Sequence, residues 1–147
     1  MKLSKKGEYA LKAVLYLSCR YLHGQKEIVQ IHEISKHEQI PEKFLQSILL
    51  SLKKVGVLES HRGVNGGYTL NRPPANITVG EVIRVIDGPL APVGCVSKSA
   101  HVPCMVQNRC GIQSVMAEVR DAISNVLDKM TFEEMCKKMY GAKLALT

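Results

Sequence analysis

Apolar positions recur on helical spacing from about Lys5 to His23, where Leu11, Val14, Leu15 and Leu17 mark a first amphipathic helix ending near Gly24. A short second helix is predicted around Gln30 to His37, with Ile31 and Ile34 turned inward. Glu38-Gln39-Ile40 then reads as a turn, and Pro41 suits the first residue of the next helix. That third helix, Pro41 to about Val55, carries the clearest pattern. Phe44, Leu45, Ile48, Leu49, Leu52 and Val55 fall within an arc of roughly 140°. Lys43, Gln46, Ser47, Leu50 and Lys54 occupy the other side, and Gly56 stops the helix.

The pattern then changes period. Val57 to Arg62 and Tyr68 to Leu70 read as two short strands, joined by Gly63-Val64-Asn65-Gly66-Gly67, whose residues tolerate positive φ. Two capping boxes, Thr78 with Glu81 and Thr131 with Glu134, mark the starts of short helices. Asp87 to Gly111 has no periodicity and contains three prolines and three glycines, so it is expected to be a loop of functional length. Beyond it Ile112, Met116, Val119, Ile123, Val126 and Met130 alternate four and three apart. Such a narrow seam suits a long helix that pairs with another helix, here a homodimer contact. The expected fold is mainly α: a winged helix-turn-helix with a two-stranded wing over residues 1–75, then a cysteine-loop sensor and dimerisation region over 76–147.

Charge divides the chain at the same place. Up to Ala75 there are 12 Lys and Arg against 6 Asp and Glu; from Asn76 onward there are 8 against 7. A basic first half and a near-neutral second half point to different partners. No segment reaches the roughly 18 apolar residues of a membrane span, and Glu8 and Lys12 interrupt the apolar run of the opening segment, which is read as an amphipathic helix rather than a signal. The protein is expected in the cytoplasm, with reduced thiols.

Helix, turn, amphipathic helix and Gly-tipped hairpin, in that order, form a winged helix-turn-helix suited to duplex DNA. Lys43 and Gln46 can reach base edges or phosphates, and Ser47 can donate or accept. Lys53 and Lys54 are better placed for phosphate. Leu50 on that face either meets a thymine methyl or is a tolerated surface residue. At the hairpin tip, Asn65 and Gly66 add little bulk, so the backbone can approach closely, and Arg62 suits a narrow minor groove. No nucleophile–base arrangement, phosphate loop or helical metal-ligand pair supports an enzyme.

Three of five cysteines, Cys95, Cys104 and Cys110, share the irregular loop, separated by eight and five residues. Cys19 and Cys136 sit in helical patterns and are expected to be small buried residues. Three clustered thiols can be metal ligands, a redox switch or a coincidence. Zinc usually recruits closely spaced pairs, which are missing here. An iron–sulfur cluster is compatible with thiolates on a loop but normally needs four ligands.

Several segments together carry a resemblance. Met1-Lys2-Leu3-Ser4 leading to Glu8-Tyr9-Ala10-Leu11, the run Ile40 to Leu45, the wing Arg62-Gly63-Val64-Asn65-Gly66-Gly67-Tyr68-Thr69-Leu70, and Ile77 to Val82 resemble the IscR/NsrR/RirA family of bacterial iron–sulfur regulators. The resemblance implies a homodimeric repressor or activator on a two-fold DNA site. It also implies a cluster, [4Fe-4S] or [2Fe-2S], held by Cys95, Cys104 and Cys110. Where some relatives place a histidine ligand just after the third cysteine, this chain has Gln113, a poor ligand. Other relatives use a carboxylate near the start of the first helix of the partner subunit, a place matched by Glu8; His101 in the loop is a further candidate. The alternative keeps the DNA-binding fold without a cluster, controlled by cysteine oxidation or by a protein partner.

Overall fold

The computed structural model describes residues 2–25 and 27–145. Met1 of the opening motif, Lys26, and Leu146 and Thr147 of the expected C-terminal region lie outside the described residues. Among those described, six α-helices and one small sheet follow in the order α1 (Lys5–Leu22), α2 (Ile31–Glu38), α3 (Glu42–Lys54), β1 (Leu58–His61), β2 (Gly67–Leu70), α4 (Val79–Asp87), α5 (Gly111–Leu127) and α6 (Phe132–Ala145). Short 3₁₀ turns occupy Pro74–Asn76, Gly94–Val96 and Gln107–Arg109. The mainly helical fold with a two-stranded wing is the one read from the sequence.

Helix α1 begins at Ser4, whose Oγ accepts the Gly7 N–H at 2.9 Å, and has Glu8 in its first turn and Arg20 in its last. Both charges complement the helix dipole. The helix packs against α2, α3, α4 and α6 at once. That central position selects small side chains on the most enclosed face, so Gly7, Ala10, Ala13 and Val14 are buried with Leu17. Leu11 and Leu15, expected inward, are only partly buried at the edge of the core.

Pro41 is the N-cap of α3 rather than its first residue. Leu45, Ile48, Leu49 and Leu52 are fully buried, but Phe44 and Val55 are each 51% exposed, contrary to the face expected from spacing. Both lie at the margins of the apolar arc: Phe44 leans on Tyr9 of α1 with ring centroids 6.4 Å apart, and Val55 is the helix C-cap. Ile31 of α2 is likewise only partly buried, whereas Ile34 is fully so. Between α2 and α3, Gln39 takes the left-handed conformation (φ 56°) and anchors it by donating from Nε2 to the Lys36 carbonyl at 2.8 Å.

Strands β1 and β2 are antiparallel, with Leu58 opposite Leu70 and His61 opposite Gly67. Only Gly63 of the hairpin glycines has positive φ, at 108°. Gly66 and Gly67 are needed for space instead: a side-chain carbon would strike the His61 carbonyl from Gly66 and the Val29 carbonyl from Gly67. Val29 reaches that close because it pairs with Tyr68 through two backbone hydrogen bonds, 3.0 and 2.9 Å, on the other edge of β2.

The core continues past the wing. Ile77, Val82, Ile83 and Phe132 are buried in one cluster with Ala10, Leu45 and Leu52. Of the two predicted capping boxes, at adjacent helix starts, one forms in full and the other by half. Thr131 and Glu134 exchange backbone-to-side-chain bonds at 3.2 Å each, while Thr78 accepts the Glu81 N–H but the Glu81 carboxylate turns to Arg72. Residues Thr78 and Thr131 are themselves bridged, so α4 and α6 start side by side.

Candidate DNA interface and cysteine loop

Packing of α3 through Leu45, Ile48, Leu49 and Leu52 leaves Lys43, Gln46, Ser47, Leu50, Lys53 and Lys54 exposed on its outer side. The Ser47 hydroxyl donates to the Phe44 carbonyl at 2.9 Å and keeps acceptor capacity outward. Arg62 and Asn65 are exposed on the wing, Gly66 is half-buried, and Val64 at the tip is almost fully exposed. Among the described residues no carboxylate pairs with Lys43, Lys53, Lys54 or Arg62, so their charges are available to phosphate.

The structure adds residues that sequence reading missed. Lys5, Lys6 and Tyr9 of α1 line one cavity of about 430 Å³ with Lys43, Phe44 and Ser47 of α3. The basic face therefore extends from the outer helix onto the start of α1. Lys5 is partly neutralised by Glu8, 3.0 Å away, and lies 5.4 Å from the Tyr9 ring centroid. Its signal was present in the Lys5-Lys6 pair, which sequence alone presents only as the basic flank of an apolar run.

The cysteine loop runs from Gly88 to Cys110 between α4 and α5. Its first part is anchored: Leu90, Val96 and Ser97 are buried, and Arg120 of α5 donates to the Val96 carbonyl at 2.7 Å. Its tip is open, with Val102 60% exposed and Met105 fully exposed. The loop cysteines Cys95, Cys104 and Cys110 are free thiols. Cys95 and Cys110 wall the same cavity of about 440 Å³, together with Arg109, Gln113 and Arg120, whereas Cys104 is exposed outside it. Cys110 is also the N-cap of α5, a helix with no side-chain cap bond and no acid in its first turn. The uncapped N–H groups and positive dipole end thus face the region of the thiols.

His101 is exposed on the loop tip and Glu8 does not line this cavity. Among the described residues, no three His, Cys, Asp or Glu side chains come together as a metal-holding group. Within one chain, then, the fold brings together two of the four expected cluster residues. Cys19 and Cys136 are buried, as expected from their helical settings.

Helix α5 contains no buried residue. Ile112, Val115, Val119 and Val126 are exposed along it, while Ile123, Leu127 and the following Met130 touch the core. No helix among the described residues is long and apolar enough to cross a membrane.

Comparison with known proteins agrees with this architecture. Residues 3–138 match the family model Rrf2, described as an iron-dependent transcriptional regulator. An HTH-type regulator of Rhodobacter capsulatus, named rrf2-like, is 39% identical over 136 residues, covering 90% of this chain and 91% of the relative. The structure of CymR from B. subtilis, described as its global cysteine regulator, superposes with a TM-score of 0.77 at 28% identity, covering 94% of this chain and 98% of CymR. That of T. potens IscR gives 0.73 at 30% identity, covering 97% and 90%. Those relatives are named as transcriptional regulators, not enzymes. The basic outer face of α3, the Gly-tipped wing and a match across nearly the whole chain lead to one conclusion: this protein belongs to the Rrf2 family of winged-helix transcriptional regulators.

Proposed function

We propose that this regulator acts in the cytoplasm as a homodimer on two-fold DNA and senses iron, redox state or nitric oxide through an iron–sulfur cluster on its cysteine loop. Residues 1–75 supply DNA contact and residues 76–147 supply sensing and dimerisation, a division of role laid over a continuous core. Lys43, Gln46 and Ser47 read the major groove, Lys53 and Lys54 hold phosphate, and Arg62, Asn65 and Gly66 bring the wing to the minor groove.

The observation that carries the sensing reading is the pairing of Cys95 and Cys110 across one cavity at the uncapped start of α5. A thiolate-ligated cluster is anionic, and Arg109, Arg120 and the free N–H groups of that helix end suit such a charge. Cys104, exposed outside that cavity, would supply the third thiolate. Glu8 of the partner subunit is the proposed fourth ligand. The cluster supplies a centre that oxygen, nitric oxide or iron shortage can alter. Glu8 then ties one subunit's DNA-binding unit to the other's loop, and release of that tie shifts the balance between DNA-competent and incompetent dimers.

Anaerobic purification with absorption spectra and iron and sulfide assays tests this, followed by DNA binding before and after nitric oxide or oxygen. The expected result is a coloured protein whose DNA affinity changes with treatment, and Glu8→Ala is expected to alter cluster content or spectrum. Identical spectra would remove Glu8 from the site; a colourless, iron-free protein would remove the cluster. The second reading, cluster-free control by thiol oxidation or a protein partner, draws on the likeness to CymR and on three unpaired loop thiols.

A further inference from the structure

The start of α1 carries an arrangement that helix stability does not ask for. Lys5 and Lys6 open the helix directly after the Ser4 cap, where the positive end of the dipole disfavours cations. The Lys5–Glu8 ion pair, at 3.0 Å, joins side chains that are 69% and 43% exposed, so it adds little stability. Their hydrogen bond first, and the Glu8 charge second, raise the Lys5 pKa, so the ammonium stays charged. Both lysines border the cavity of about 430 Å³ between α1 and α3. The Tyr9 and Phe44 rings, 6.4 Å between centroids, supply its apolar part, and Lys43 and Ser47 bring it to the edge of the groove-reading face. No carboxylate lines it, and among the described residues no ion pair involves Lys6 or Lys43. A cationic rim beside exposed ring carbons matches one chemistry, a phosphate with the deoxyribose next to it.

We propose that Lys5 and Lys6 seat one sugar–phosphate unit of duplex DNA between α1 and α3, and that Glu8 competes with this phosphate for Lys5. Resting on the reading of α3 and the wing as the DNA face, this site adds the first turn of α1 to that face. Lys6 has no acid to give up and meets the phosphate with its full charge. Lys5 must exchange its Glu8 partner for the phosphate, and an exposed pair is weak enough to be exchanged. The Tyr9 and Phe44 rings receive the sugar carbons, which gives the half-exposed Phe44 a use. In a cluster-free subunit Glu8 therefore withholds one cation from DNA. Where the partner's loop takes Glu8 as a ligand, the step proposed above, Lys5 is released to phosphate and the cluster-loaded dimer is the tighter DNA binder. The sensor then reaches DNA through one exchanged ion pair, with no change of fold.

The test uses the full chain with Cys95→Ser, Cys104→Ser and Cys110→Ser, so that its outcome is independent of any cluster. The probe is a fluorescein-labelled duplex of mixed sequence, about 30 base pairs long, titrated by anisotropy between about 50 and 200 mM KCl. Each phosphate contact contributes about 0.9 to the slope of log affinity against log salt. Glu8→Gln is expected to tighten binding several-fold and steepen the slope by about 0.9 per subunit, and Lys6→Gln to flatten it by a similar amount. Adding Lys5→Gln to Glu8→Gln is expected to cancel the gain. Circular dichroism and Tm of each variant control for folding. If the triple variant does not fold, the same series is measured in the wild-type chain stripped of iron by a chelator under reducing conditions. A gain from Glu8→Gln that persists without Lys5 is a long-range charge effect and overturns the competition. An unchanged slope in Lys6→Gln overturns the phosphate seat, and Lys53→Gln tells the two readings apart. If Lys53→Gln flattens the slope while Lys6→Gln does not, only the α1 site falls; if neither does, the DNA face on α3 falls with it.

Discussion

Asp128 shows how one side chain holds two helices. Both Arg84 Nη groups of α4 donate to its carboxylate, at 2.6 and 2.8 Å, just after α5 ends. These hydrogen bonds first, and the guanidinium charge second, hold the Asp128 pKa below the ordinary carboxylate value against partial desolvation. The folded chain therefore releases this proton more readily than the unfolded one, whose Asp titrates near about 3.9. The pair's stabilisation is complete above that unfolded value and is lost as pH falls through the folded one. Asp128→Asn is expected to lower Tm at neutral pH, with the gap to wild type closing below about pH 4. Both side chains are more than a third exposed, so screening limits the loss to about 1 kcal/mol or less. A gap that persists at low pH in thermal scans would assign the effect to packing. Nothing in the sequence announced this pair, because Arg84 and Asp128 are 44 residues apart. Phe44 departs from the expected face for a local reason: at the edge of a helical arc, periodicity does not say which neighbour covers a ring, and here Tyr9 leans on it while half of the side chain stays exposed.

Helix α5 states the element-scale problem. Its 4-3 seam was legible, and the helix has no buried residue in the single chain even though Val119, Ile112 and Val126 are apolar. Val119→Lys is expected to leave monomer stability within roughly 0.5 kcal/mol, since it removes little packing, but to weaken the homodimer by placing a charge in the proposed seam. Sedimentation velocity, with circular dichroism as the folding control, checks both parts; an unchanged dimer would move the contact to another face. Helix α3 and the wing were readable because their periods are regular and their breakers, Pro41, Gly56 and Gly63, stand at element ends. The length of α6 was not. Only Thr131 and Glu134 signalled its start, and its buried Phe132 and Cys136 are separated by charged Glu133 and Glu134. The Val29–Tyr68 pairing was equally unreadable, because a single-residue bridge has no period. For the cysteine loop, sequence clustering identified the thiols, but their arrangement around the α5 start depends on anchors such as Arg120 to Val96, 24 residues away.

Across the whole molecule, α4 joins parts that lie far apart in sequence. Three of its side chains, three residues apart, each reach a different element: Glu81 takes both ends of Arg72 behind the wing, Arg84 takes Asp128, and Asp87 reaches the start of α1. There the Asp87 carboxylate accepts from the Ser4 backbone N–H at 3.1 Å and from the Ser4 hydroxyl, across 83 residues. Ser4 in turn caps α1, so Asp87 orients the cap and adds negative charge at the helix's positive end. The next residue, Gly88, begins the cysteine loop, and Glu8 lies one turn beyond the cap. The first turn of α1 and the root of the loop are therefore one mechanical unit before any second subunit is added. Asp87→Ala removes both acceptors at once and is expected to cost about 1–2 kcal/mol. Amide exchange is expected to accelerate at Gly7 and Glu8 more than at the middle of α1, because only the cap is released. If exchange at those amides equals wild type while Tm still falls, Asp87 acts through general packing and the link between loop root and helix start is broken; a selective gain at the first turn sustains it.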